Sequence, residues 1–356
     1  MKRILMILLV LLFVFISAGA VSESENMGNL SVLTEECPVE MIAYVEEEIG
    51  DFILSVTEGS IPDCAIYVGT PFSYMNAENE MFLFPIFFGD RIEYVLRVSN
   101  YENMISGTMS KFLADELNQL MAETSYDMPA KFYIDDRYLI AEIGDEEKEI
   151  YEFTEEETGN SISVANFNDM DMDLSVLNIA EPLDIKVELI QGKASSNYIS
   201  LNISREQQGD NSWCCAYCTA ICLRYRGYDC VAKDVMSYFF GSNPSKNQTL
   251  SDARAVEYAK SVGWNDVGRS GSYFSDSRLK GYIDDDSPVM LIMYRPAEDS
   301  YHAVVLRGYN SSKWSIWNPW YSSYESFEIG RTYTAKNGHV YVYGAVTGAG
   351  RTIYNW

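Results

Sequence analysis

Gln207-Gln208-Gly209-Asp210-Asn211-Ser212-Trp213-Cys214-Cys215-Ala216-Tyr217-Cys218 is the stretch on which the reading of this chain turns. Its second half predicts the opening turn of a helix, because Ala216, Tyr217, Ala220, Ile221 and Leu223 recur ahead of a Gly227 stop. Asp210, Asn211 and Ser212 are all N-cap types, and Gly209 supplies a flexible lead-in. Cys214 then falls in the first helical turn, where unpaired backbone N–H groups and the positive end of the dipole favour thiolate over thiol. A thiolate is the nucleophilic form of cysteine. The same stretch also reads as a cysteine-rich core helix, since free cysteine packs as a small apolar residue.

Two distant positions bear on that choice. The chain has two histidines, and His302 opens a strand-like run, His302-Ala303-Val304-Val305-Leu306-Arg307-Gly308-Tyr309. Trp317-Asn318-Pro319-Trp320 closes another short apolar run. Gln–x5–Cys, then His-Ala-Val-Val, then Asn-Pro-Trp resembles the papain-like cysteine peptidases, in particular the secreted bacterial staphopain-like and C39-like branches. The resemblance spans roughly Tyr198 to Trp356. It implies a papain-like fold and a set of roles: Cys214 attacks, His302 is the base, Asn318 orients the histidine and Gln208 donates to the oxyanion. It also implies that Trp320 shields the Asn318–His302 bond from water. Relatives usually carry a bulky Trp directly after the nucleophile, where this chain has Cys215.

Composition sets the frame around this half. At 356 residues the chain has room for two domains and two cores. Met1 to Ala20 reads as a secretory signal, with Lys2 and Arg3, an apolar run from Ile4 to Ile16, and small residues before the cut. An uncleaved N-terminal anchor is the other reading of that segment. Residues 1–192 hold 9 Lys and Arg against 37 Asp and Glu, a net of −28, while residues 193–356 hold 17 against 15. That step marks two units, an acidic one at 21–192 and a near-neutral one at 193–356, and the acidic unit argues against nucleic-acid binding. The linker-like Gln191-Gly192-Lys193-Ala194-Ser195-Ser196-Asn197 falls at the step, and a maturation cut is expected between Gln191 and Arg205.

The first unit reads as α+β with an antiparallel sheet. A helix is expected near Cys37–Ser55 and another at Phe112–Met121, with strands at 65–69, 82–88, 92–98, 130–134, 138–143 and 149–153. Phe82 to Phe88 is too apolar to be a free edge, so it is either core or a docking face. The unit has no histidine and no nucleophile–base pairing. Ahead of a secreted cysteine peptidase it resembles an inhibitory propeptide; an independent binding domain is the alternative. In the second unit helices come first and an antiparallel sheet follows, the layout of the papain-like fold. Five of the seven cysteines crowd into Cys214–Cys230, where one helix offers poor geometry for bridging, so most are expected to stay reduced. Cys37 and Cys64 are a candidate pair. No metal or other cofactor is called for, because the helical Cys-x2-Cys lacks a second pair or a nearby histidine. Asn166–Asp173 and Asp284-Asp285-Asp286 read as solvated segments, and His339, in an Asn-Gly-His turn, as solvent-facing.

These readings predict an exported cysteine endopeptidase made as a zymogen, with a peptide or protein as substrate and the N-terminal half as intramolecular inhibitor. Membrane contact is expected only through the signal peptide, and the location is extracellular or cell-surface. The competing class is a non-hydrolytic protein on the same fold, a cell-surface binding module or an acyl-transfer relative.

Overall fold

The computed structural model describes residues 30–75, 80–154, 157, 177–183, 185–189, 198–344 and 348–356. The expected signal peptide, the acidic stretch at 166–173 and the linker at 191–197 lie outside the described residues. No described helix is long and apolar enough to cross a membrane.

The molecule is mixed α and β, with six α-helices and large antiparallel sheets among the described residues. In the N-terminal half, α1 (Val39–Val56) is followed by β1 (Ile66–Val68), β2 (Met81–Phe88), β3 (Arg91–Tyr101), β4 (Met104–Ser110), α2 (Ala114–Met121), β5 (Ala130–Asp135), β6 (Tyr138–Ile143) and β7 (Glu146–Glu152). The C-terminal half supplies α3 (Cys214–Tyr225), α4 (Ala232–Phe240), α5 (Asp252–Ser261), α6 (Asp276–Asp284), β8 (Val289–Arg295), β9 (Ser300–Tyr309), β10 (Lys313–Trp317), β11 (Tyr324–Glu328) and β12 (Arg351–Tyr354).

The apolar run in β2 is core on both faces. Met81, Leu83 and Phe87 enter one buried cluster, with α2, β5 and β6. Phe82, Phe84 and Ile86 enter another beneath α1, whose Met41, Val45, Ile49, Phe52 and Ile53 recur at helical spacing. Successive strand residues point to opposite faces, so a continuous apolar run is what a strand between two cores requires.

One twelve-stranded sheet runs through both halves. Its order, from a short strand at Ile185–Lys186, is β1-β2-β3-β4-β11-β10-β9-β8-β12, ending on Gly268–Ser270, with Ile199–Ser200 paired to β9. The joint between the halves is β4 against β11, antiparallel, with Met109 opposite Ser326 and Thr108 opposite Phe327. β4 is unexpected from the sequence: Met104-Ile105-Ser106-Gly107-Thr108-Met109-Ser110 is short of large apolar residues. Its hydroxyls bond outward instead. Ser106 Oγ meets Thr332 Oγ1 at 2.5 Å and Thr108 Oγ1 accepts from Thr334 N at 3.2 Å. Gly107 lies under α1, where a Cβ would come within 2.7 Å of the Tyr44 hydroxyl and 2.9 Å of the Phe52 ring.

Charge pairs span the same joint. Arg97 on β3 meets Glu325 on β11 at 2.6 Å, with both side chains wholly buried. Lys313 on β10 is bonded to Glu48 on α1, and Arg307 on β9 to Glu58 at 2.8 Å. All seven cysteines are free thiols, so Cys37 and Cys64 do not pair; Cys64 is exposed and Cys37 half-buried.

Candidate active site

α3 begins at Cys214. The residue in the capping position is Trp213, one later than the polar residues expected to cap it. Asn211 acts one step earlier, its Oδ1 accepting from Trp213 N at 3.2 Å. The helix ends at Tyr225, and Gly227 takes the left-handed conformation (φ +86°) that favours glycine after a helix.

α3 lies across β9 and β8. Cys218 Sγ donates to the carbonyl of Ala303, next to His302, at 3.3 Å. Cys214 sits about one turn before Cys218 on the same face, a step of about 6 Å along the axis. That places the helix start beside the strand that carries His302. Cys215 points elsewhere, its Sγ 4.0 Å from Met290 Sδ on β8. Burial pushes the Cys215 thiol up to about 12, with Asp252 adding to the shift.

Asn318 follows directly after β10. Its Oδ1 lies 2.9 Å from His302 Nε2 and also accepts from Trp320 N at 3.1 Å. Trp320 stacks on the imidazole with ring centroids 3.7 Å apart and planes 22° apart, covering the His302–Asn318 bond. Gln208 joins from the lead-in loop. Its backbone N donates to Pro319 O at 2.7 Å, and its Nε2 donates to Asn211 O. The loop before the helix is thereby tied to the Asn-Pro-Trp turn, which brings Gln208 to the His302–Asn318 pair and leads into the start of α3.

This locus is nearly shut. Cys214 is 8% exposed, Gln208 3%, His302 2% and Asn318 0%. Burial pushes the His302 imidazole down from 6.5 to about 3, against the raising effect of the Asn318 bond and together with Arg295.

The residues behind Asn318 were not legible in the sequence. Asn318 Nδ2 donates to the Tyr333 hydroxyl at 2.8 Å, and Tyr333 donates in turn to Glu325 Oε2. Burial, then the Glu325 charge, raises Tyr333 well above 10, so it keeps its proton. A glutamate in a strand that looks half-exposed, Tyr324-Glu325-Ser326-Phe327-Glu328, gives no signal of this role. His339 corrects another expectation: it is buried, with Nε2 2.8 Å from Arg295 Nη2, because its turn folds inward against β8.

The model of the Peptidase_C39 like family matches residues 200–347. Residues 200–347 are thus similar to the C39-like peptidases. All four candidate positions fall within this C39-like segment. A solved structure described as a C39-like peptidase from Bacillus anthracis is 16% identical, covers 45% of this chain and 98% of its own length, and superposes with a TM-score of 0.33. No curated protein matches the chain.

The His302 value has a consequence for the C39-like segment's stability. Between about pH 6.5 and pH 3 the unfolded chain takes up a proton on His302 that the folded chain refuses. Stability is therefore fully present above pH 6.5 and falls as the pH drops toward 3. Chemical denaturation at pH 7 and pH 4 is expected to show a smaller acid loss in His302→Gln than in the parent, by on the order of 2 kcal/mol. Equal losses in the two proteins would remove His302 as an acid-labile element.

Proposed function

We propose that the chain is an exported cysteine endopeptidase, made as a precursor whose N-terminal half holds the site shut. The observation that carries this reading is the His302–Asn318 bond beneath Trp320, set against the start of the helix that carries Cys214. In this reading Cys214 Sγ attacks the scissile carbonyl carbon and its proton passes to His302 Nδ1. Gln208 Nε2 and the Cys214 backbone N–H hold the oxyanion; such a donor is worth roughly 3 kcal/mol of barrier. His302 then protonates the leaving amine, and water, deprotonated by the same imidazole, hydrolyses the acyl-enzyme. Asn318 keeps the ring in place without titrating itself.

The near-complete burial of Cys214 and His302 supports a restrained state. The acidic first half, Val21 to Gly192, is the restraining element and the near-neutral half from Lys193 onward the enzyme, with Met1 to Ala20 lost on export. The test is hydrolysis of an unfolded protein substrate by the intact chain and by the same chain after the N-terminal half has been digested away, with and without iodoacetamide. Turnover is expected only after digestion and only with the thiol unblocked. No hydrolysis in either form would leave a non-hydrolytic binding module or an acyl-transfer relative, and hydrolysis that survives alkylation would remove the thiol as nucleophile.

A further inference from the structure

His302, Asn318, Tyr333, Glu325 and Arg97 form one continuous hydrogen-bonded line, and its last member belongs to the N-terminal half. We infer that Arg97 is a positioning residue that presets the tautomer of His302, through Glu325, Tyr333 and Asn318, while the site is still shut. This rests on the proposed role of His302 as the base.

The direction of each bond follows from the one before it. An ionised carboxylate only accepts, so Glu325 obliges Tyr333 to donate its single hydrogen there. The Tyr333 oxygen is then left to accept from Asn318, which fixes the amide with Nδ2 toward Tyr333 and Oδ1 toward His302. Oδ1 accepts only, so His302 Nε2 must carry the hydrogen. In a neutral imidazole that leaves Nδ1 as the basic nitrogen, the one a thiol proton needs. Nδ1 has no hydrogen-bond partner among the described residues.

The direction is obligatory from this end only while Glu325 is ionised, because a protonated carboxyl can either accept or donate at Oε2. With no exposed surface, Glu325 has no access to water that would keep it so, and Arg97 takes the place of that water at 2.6 Å. Arg97 is itself held by Ser110 Oγ at 2.9 Å and by the carbonyl of Thr334 at 3.4 Å. Lys336 acts on Glu325 only through space, because its ammonium donates to the Tyr151 hydroxyl at 3.4 Å and lies over the rings of Phe112, Tyr151 and Tyr321. A protonated Glu325 could donate to Tyr333, and the line could then run backward, with the Asn318 amide turning over, giving up the bond from Trp320 N and donating to Nε2, and the hydrogen moving to Nδ1. When the halves part, water reaches Glu325 and keeps it ionised without Arg97, so the preset tautomer survives into the open enzyme.

The experiment is nitrogen NMR on the intact chain with labelled histidine. Two histidines give two ring systems, and their tautomers differ: Arg295 donates to His339 Nε2, whereas His302 Nε2 donates. The parent is expected to show the His302 Nε2 in the protonated, pyrrole-type range at pH 7. Arg97→Met should move it toward the pyridine-type range, and Arg97→Lys should restore it. Because Arg97→Met strands a buried charge and could unfold, Arg97→Met combined with Glu325→Gln provides a neutral pair in which the same shift is expected. An unchanged His302 signal in the folded double variant would overturn the inference, as would a parent signal in the pyridine-type range. A shift in the variants of a chain that hydrolyses nothing would uphold the line and sink the peptidase reading instead.

Discussion

Cys214→Ala is expected to abolish thiol-dependent hydrolysis, a loss of roughly 10^4-fold or more, while Cys215→Ala leaves turnover within a few-fold of the parent. The two neighbours are about 100° apart around α3, because a turn takes roughly 3.6 residues. Cys218, on the face of Cys214, touches Ala303 beside His302, whereas Cys215 faces Met290 in the sheet. Only a thiolate attacks, and burial with Asp252 nearby holds the Cys215 thiol at about 12, so at neutral pH it stays protonated. Removing its sulfur trims a packed core and should cost ~1 kcal/mol of stability. A limiting dose of iodoacetamide, applied after the N-terminal half has been digested away, should label Cys214 first by peptide mapping. Labelling at Cys215 together with an active Cys214→Ala would overturn both the nucleophile and the register counted from Gln208.

How far the sequence reached can be judged at the same residues. The helix opening at Cys214, the strand of His302 and the Asn-Pro-Trp turn were legible because each leaves a local mark: a break in apolar spacing, an apolar run or a rare residue type. Trp320 on the imidazole was legible only through the family resemblance. What lies behind Asn318 was not. Tyr333, Glu325 and Arg97 are brought together by strand pairing across 228 residues of sequence between Arg97 and Glu325, and nothing local distinguishes a buried strand glutamate from a solvated one. β4 was missed for a related reason. It is stabilised by hydroxyl bonds to Thr332 and Thr334 rather than by an apolar pattern, so its seven residues look like a polar connection. The charge step at residue 192 suggested two separable units, and that suggestion gave no sign that one sheet would run through both.

That shared sheet leads to the second large effect: a single cut between Gln191 and Arg205 should leave the halves together. β4 is bonded on one side to β3 and on the other to β11, so parting the halves breaks a sheet in its interior and exposes two edges. Arg97–Glu325 and Lys313–Glu48 would both have to be opened, with Arg97, Glu325 and Lys313 wholly buried. Losing one partner of a buried pair costs about 3–5 kcal/mol until water reaches the other, which makes the opening slow. Ser99 with Thr334 and Ser326 with Ser55 add buried hydroxyl bonds at 2.6 Å and 2.8 Å. Lys336 of the C-terminal half sits 4.5 Å from the Phe112 and Tyr151 rings of the N-terminal half. Salt screens buried pairs far less than exposed ones, so molar sodium chloride should not separate the pieces either. Size-exclusion chromatography of the nicked chain is expected to give one peak at the position of the intact chain, and both fragments on a denaturing gel of that peak. Cys214 in that peak should alkylate as slowly as in the uncut protein, rising by at least ten-fold once the first fragment is degraded. Two separate peaks at physiological salt would show that the sheet joint is weak and that cutting alone opens the site.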